Sequence, residues 1–222
     1  MFGNHDYDSE KLVAYELGFR SQPLENFSLD VATFFNDYDD LRTVSPRLGP
    51  DGKPAAFLET DPLPPHLVLP WDAGNAMTAH TWGVEVVADW WPLDGWRLRG
   101  GYTYFEMSVD LPASLPPETV GPGADGASPE QQAFLRSLLD LPYDLEFDVN
   151  LRWVDELPSV DVRSYGTADL RLGWRPREDL EISLVGQNLL DDKHMEFGGS
   201  DFFAISPSAV QRGFYGKIVW KP

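Results

Sequence analysis

Hydrophobic positions in this chain recur at every second residue, in runs set off by turn-forming residues. That period belongs to strands with one apolar face rather than to helices. Val13, Tyr15, Leu17 and Phe19 alternate with Glu16, Gly18 and Arg20 in a first run over 11–20. Phe27, Leu29, Val31, Thr33 and Phe35 then alternate with Ser28, Asp30, Ala32, Phe34 and Asn36, where a helix would scatter Asp30 and Asn36 among the apolar positions. A long bent strand is expected over 67–91, disturbed by Pro70 and Gly74, with Trp82, Val84, Val86, Ala88 and Trp90 opposite Thr81, Glu85 and Asp89. Trp96, Leu98, Gly100, Tyr102 and Tyr104 oppose Arg97, Arg99 and Thr103 in the fourth. The fifth, over 132–140, alternates least clearly. The sixth sets Leu145, Phe147, Val149, Leu151 and Trp153 against Glu146, Asp148, Asn150 and Arg152. Three more are expected over 168–175, 180–187 and 210–221.

The connections carry as much information as the strands. Those at 22–26, 92–95, 141–144 and 176–179 are short, whereas those at 43–66, 107–131, 156–163 and 191–209 are long, in strict alternation. In an antiparallel up-and-down meander every second turn lies at the same end, so tight turns gather at one rim and loops at the other. This is the layout of an outer-membrane barrel, with short periplasmic turns and long extracellular loops. Trp90, Trp96 and Trp174 border tight turns, and Tyr104 and Trp153 lie near loop ends, where indole and phenol rings meet the headgroup level. The opposite faces hold Arg, Asp, Glu and Asn in neighbouring positions, which a water-filled lumen accepts and a dry core does not. The fold class expected is all-β: a nine-strand antiparallel up-and-down meander forming an open segment of a transmembrane β-barrel. A soluble β-rich sandwich, with carbohydrate-binding or hydrolytic function, is the alternative that alternation alone permits.

Composition narrows the partners. The 222 residues carry 36 Asp plus Glu against 17 Lys plus Arg, a formal charge of −19, which argues against nucleic acid. The absence of cysteine excludes disulfides, thiolate metal sites and Cys catalysis. The opening "MFGNHDYDSEK" has neither a basic nor an apolar leader region, and no run reaches the roughly 20 apolar residues of a membrane helix.

The segments "EKLVAYELGFRSQP" with "FSLDVATFFNDYDDLRT", "HTWGVEVVADWWP" with "WRLRGGYTYFE", "SLVGQNLLDDKH" and the closing "RGFYGKIVWKP" together resemble the C-terminal part of the barrel of TonB-dependent outer-membrane receptors. The most specific piece is "NLLDDKH", followed about twenty residues later by an arginine-led last strand. The resemblance implies a roughly 22-stranded transmembrane β-barrel in the outer membrane of a Gram-negative bacterium, of which these would be the last nine strands. It also implies an N-terminal plug, and TonB-energised uptake of a scarce small-molecule ligand: a ferric siderophore, cobalamin or a saccharide. No cofactor is implied.

Departures from the family are visible too. No plug domain, TonB-contacting box or leader is present, and the chain closes Trp220-Lys221-Pro222 where the family ends on an aromatic residue. Nine up-and-down strands leave an unpaired edge at the first and the last, which lipid does not tolerate. The chain is therefore expected to be one barrel domain over 1–222, a fragment whose partners are outer-membrane lipid, the plug, the missing strands and the TonB system. A passive porin-like channel is a further alternative, which plug-coding sequence upstream would argue against.

Candidate chemistry is sparse. Asp37, Asp39 and Asp40 around Tyr38 read as a solvated rim, and Asp191 and Asp192 beside His194 as turn residues. His5, His66, His80 and His194 are scattered, and Glu181 with Asp169 reads as lumen lining rather than as a glycosidase pair. "GPGADG" at 121–126 lacks the lysine and following helix of a phosphate loop. No catalytic or metal residues are assigned, and the chain reads as no enzyme. Ligand contacts are expected from the long loops, with Phe57, His66, Trp71, Asp110, Phe134, Phe202 and Phe203 as candidates.

Overall fold

The computed structural model describes residues 7–119, 126–198 and 208–221. Its strands are β1 (Lys11–Leu24), β2 (Phe27–Pro46), β3 (Phe57–Glu59), β4 (His66–Val68), β5 (Trp71–Leu93), β6 (Trp96–Asp110) and β7 (Gln131–Leu141). β8 (Leu145–Val154), β9 (Tyr165–Arg177), β10 (Leu180–Gln187), β11 (Lys193–Met195), β12 (Ala209–Gln211) and β13 (Gly213–Trp220) follow. Nine of them form one sheet in the order β1-β2-β5-β6-β7-β8-β9-β10-β13. Each is hydrogen-bonded to its neighbour in chain order once the short strands are set aside, as a meander requires. β1 and β13 are the outer strands and do not pair with each other.

Register converts the sequence pattern into two surfaces. On one, Trp96, Leu139, Phe147, Leu172 and Leu184 stand opposite one another across five strands. The next row holds Leu98, Ser137, Val149 and Leu170. On the other surface lie Arg97, Leu138, Asp148 and Arg171, then Arg99, Arg136, Asn150 and Asp169. Side chains alternate at period two, so a slip of one residue would exchange these faces. The largely apolar rows of the first surface hold the register.

Strand lengths exceed the sequence expectation at the loop side. β2 carries Asp37, Tyr38, Asp39 and Asp40 and runs on to Pro46, past the start of the connection expected at 43. β6 reaches Asp110. The strand expected over 67–91 is divided: Leu67 and Val68 pair with Leu58 and Phe57 in the β3–β4 hairpin, and β5 starts at Trp71, just after Pro70, which has no N–H for a ladder. Likewise Val210 belongs to the β11–β12 hairpin, opposite His194, and the last wall strand starts at Gly213. Both hairpins begin within long connections expected to be loops. Three-residue strands are too short for a period to show.

The chain divides into two compact units. One comprises Met1–Tyr15, Phe35–Trp82 and Met107–Asp125. In it Met77, Ala79, Val44, Thr43 and Thr81 are buried, and Thr81 accepts a hydrogen bond of 3.1 Å from the Asn36 amide. Tyr15, Phe35 and His80 form an aromatic row across three strands, with ring centroids 6.3 and 6.2 Å apart.

The other unit comprises Glu16–Phe34, Gly83–Glu106 and Gly126–Pro222. Near its tight turns the Trp96 indole donates to Ser137 Oγ at 3.0 Å, and that of Trp220 to Asp179 Oδ2 at 3.0 Å. The Trp220 bond, joined by the Arg177 guanidinium, holds the Asp179 carboxyl below the usual carboxylate range in the turn after β9. Val154, Leu157, Val162 and Ala168 are buried near the loop ends, where Leu157 and Val162 bridge.

Two glycines on the charged face of this unit make opposite demands. A Cβ at Gly83 would lie 2.4 Å from the Tyr104 carbonyl oxygen and 2.5 Å from the Phe34 ring, whereas at Gly101 the three nearest atoms all belong to the Phe134 ring, the first at 2.3 Å. Backbone cannot give way as a ring can. Gly83→Ala is therefore expected to cost about 1–3 kcal/mol in denaturant unfolding, and Gly101→Ala less than about 1 kcal/mol. Equal losses would contradict this.

Candidate functional site

The charged face of the sheet is built for water, and its ions hold one another in place. Arg171 on β9 donates to Glu146 at 2.8 Å and Asp148 at 2.9 Å, both on β8, and to Glu181 on β10 at 2.7 Å. Arg175 pairs with Glu146 as well. Asp169 accepts from the Asn188 backbone N–H at 2.9 Å and from the Asn150 amide at 3.4 Å. Glu181 and Asp169 are thus engaged as wall ligands, with no free acid or base between them. Arg97 donates to Asp89 at 2.8 Å, and Arg20 to Asp30 at 2.7 Å.

Toward the loop ends the face changes from ionic to aromatic. Phe34 covers Gly83 and lies 6.3 Å from Phe105, ring to ring. Phe134 covers Gly101, with the Arg136 guanidinium 5.6 Å from its ring centre. Directly opposite Phe134 in the register, Arg152 sits 5.5 Å from the Tyr165 ring, which stacks on His194 at 4.4 Å. His194 Nε2 donates to Glu196 Oε1 at 3.0 Å, and Arg152 pairs with the same carboxylate. Burial pushes the Glu196 carboxyl up, but the bonds from His194 and Arg152 outweigh it and leave it below the usual range. Only 7% of the His194 side chain is exposed, and its Nδ1 has no partner among the described residues. This cluster fastens the segment after β10 to β8 and β9.

The loop candidates are dispersed. Phe57 opens β3 and is half-exposed; His66 opens β4, its Nε2 3.4 Å from Glu59. Trp71 opens β5 and Asp110 ends β6. Phe134 is not a loop residue. It sits three residues inside β7, because Gln131 already pairs with Tyr104, and it faces the charged side. Phe202 and Phe203 lie outside the described residues, as does His5. Asp40 is paired with Lys11 at 2.5 Å and Asp192 with Arg212 at 3.1 Å. No group of three or more His, Cys, Asp or Glu able to hold a metal exists among the described residues. No sequence motif marks the Arg152–Tyr165–His194–Glu196 cluster. Only register aligns β8 with β9, and only the β11–β12 hairpin returns His194 to them.

Comparison with known proteins bears directly on this wall. Residues 1–189 match the family described as TonB dependent receptor-like, beta-barrel. The chain belongs to that family. The pesticin receptor of Yersinia enterocolitica is 26% identical over 227 residues, covering 95% of this chain but 28% of that protein. The pyoverdine outer membrane receptor FpvA of Pseudomonas aeruginosa PAO1 has a TM-score of 0.68 at 16% identity, covering 96% of this chain and 30% of that one. The ferric yersiniabactin uptake receptor FyuA of Yersinia pestis gives 0.58 at 20% identity, covering 94% and 29%. At such identities the structural likeness establishes the fold. The chain spans less than a third of the length of these relatives, and its sheet is an open portion of an outer-membrane β-barrel wall.

Proposed function

We propose that these nine strands are the carboxyl-end part of the wall of an outer-membrane receptor that imports a ferric siderophore, with plug, remaining strands and TonB system supplied outside this segment. The observation that carries the reading is the division of one sheet into an apolar face and an ion-paired face, in a chain of this family. The ligand class rests on the relatives: pyoverdine and ferric yersiniabactin are named for proteins whose walls this one resembles.

Topology constrains what completes the wall. In a nine-strand meander the first and last strands run the same way. A second copy in the same orientation would then meet this one with parallel edges. An antiparallel closure requires an odd number of additional strands whose outer members run the opposite way. Closure by strands of different sequence meets this condition.

The test is deletion of the gene in its host under iron limitation, with uptake of radio-labelled iron measured from a panel of ferric siderophores. Loss of uptake for one siderophore, restored by the intact gene, is expected. Unchanged iron uptake, with loss of cobalamin or saccharide uptake instead, would overturn the ligand class. A monodisperse, detergent-free monomer from native membranes would overturn the whole reading.

A further inference from the structure

In the unit that contains β7 to β10, every other arginine on the sheet strands has a carboxylate partner, from Arg20 with Asp30 to Arg177 with Asp179. Arg136 on β7 has none among the described residues, in a chain whose formal charge is −19. Its guanidinium is nevertheless held. Nε donates to the Asn150 carbonyl oxygen at 3.2 Å, and the group lies 5.6 Å from the centre of the Phe134 ring, which itself covers Gly101. The two terminal nitrogens are left without a partner among the described residues.

The neighbouring carboxylates are already engaged. Asn150 turns its amide nitrogen to Asp169 at 3.4 Å, Asp89 accepts from Arg97 at 2.8 and 2.6 Å, and Asp148 accepts from Arg171 at 2.9 Å. Directly across the β6–β7 pair stands a second cation, Arg99, whose own contact with Asp89 is 3.7 Å. Like charges directly opposite each other on one face are destabilising. Nothing among the described residues offsets that repulsion at Arg136.

We propose that Arg136 binds a carboxylate presented to the charged face from the lumen, an inference that rests on the reading of that face as wet and inward. The terminal nitrogens of a guanidinium form a planar fork, which two coplanar oxygens satisfy with parallel hydrogen bonds. Carboxylates are the ions that guanidinium groups meet throughout this sheet. Asn150 and Phe134 fix the fork beforehand, so less freedom is lost when the anion arrives. Two sources share this chemistry: an Asp or Glu side chain of the polypeptide that fills the lumen, and a carboxylate borne by a small molecule passing through it.

The test is denaturant unfolding of the intact receptor in detergent, without siderophore, for Arg136→Glu, Arg136→Gln and Arg136→Lys. The sign of the effect decides. With an empty fork, Arg136→Glu sets a carboxylate opposite Arg99, removes the repulsion, and leaves the receptor at least as stable as the parent. With a side chain of the lumen polypeptide in the fork, Arg136→Glu brings two carboxylates together. The unfolding equilibrium constant is then expected to rise about tenfold or more, with Arg136→Gln between and only partial recovery in Arg136→Lys. Full recovery in Arg136→Lys would show that charge alone matters and overturn the fork. Sodium acetate in place of sodium chloride, at equal ionic strength, examines the second source. Stabilisation of the parent by acetate, lost in Arg136→Gln, would identify a small-molecule carboxylate. A neutral or stabilising Arg136→Glu, with no effect of acetate on the parent, overturns the site. Nickel accessibility of a nitroxide at Asp169, in the same row, separates the two levels. A shielded position 169 overturns the lumen reading and the site with it, whereas a wet one with an empty fork overturns the site alone.

Discussion

Leu170→Arg is expected to lower the unfolding free energy of the closed wall in a bilayer by about 2–4 kcal/mol, while Leu138→Arg shifts it by less than about 1 kcal/mol. The two leucines are similarly accessible, at 36% and 44%, so neither exposure nor residue type distinguishes them. Face does. Leu170 pairs with Val149 and Gly186 in an apolar row near mid-height, where a guanidinium would enter hydrocarbon. Leu138 stands between Arg97 and Asp148, where a new guanidinium finds water and a carboxylate. Denaturant titration in lipid vesicles reads both variants. Similar losses would mean the two faces meet the same medium.

The second large effect concerns Arg171. Its guanidinium bridges three carboxylates on two neighbouring strands, and three-quarters of the side chain is shielded, with 25% exposed. Glu146 keeps Arg175 when Arg171 is removed, but Asp148 loses its ion-pair partner among the described residues, and Glu181 keeps the more distant Arg175 at 3.9 Å. Truncating one member of a shielded ion network costs more than the net value of the pairs, because the remaining charges stay partly desolvated. Arg171→Ala is expected to cost about 1–3 kcal/mol, less than a dry core would show because this face is wet. Arg171→Lys should recover only part, since an ammonium cannot present a planar fork to three acceptors. Replacing Arg171 together with Asp148 and Glu181 by Gln should cost less than Arg171→Ala alone. If the triple variant is worse, the network stabilises by more than mutual neutralisation.

Most of the wall was legible in the sequence because its strands, the fifth excepted, repeat one simple rule. Leu145 to Trp153 alternate so strictly that face, length and partner type follow directly, and the structure pairs them as expected with Leu139, Leu172 and their neighbours. Connection lengths then placed the turns. The rule fails where strands no longer face two different media. Beyond Asn36 on β2, aspartates and a tyrosine succeed one another without an apolar face, and the stretch from 43 to Pro46 reads as connection. The β3–β4 and β11–β12 hairpins are three residues long, below any detectable period.

Candidate contacts were less legible for a related reason. Phe134 reads as an intruder on a polar face until register shows the glycine beneath it, and that pairing lies across strands, not along one. Arg152, Tyr165 and His194 come from three separate segments, and none has a neighbour in sequence that marks it. Cross-strand proximity is set by register, which composition does not disclose.

The account depends on which medium each face meets, and paramagnetic accessibility measures that directly. Nitroxides placed singly at Leu170 and Asp169, in the closed wall reconstituted in bilayers, would be relaxed by oxygen and by a water-soluble nickel complex in turn. The expected result is strong oxygen and weak nickel relaxation at position 170, with the reverse at 169. Low accessibility to both reagents at 170, as inside a packed protein core, would contradict it.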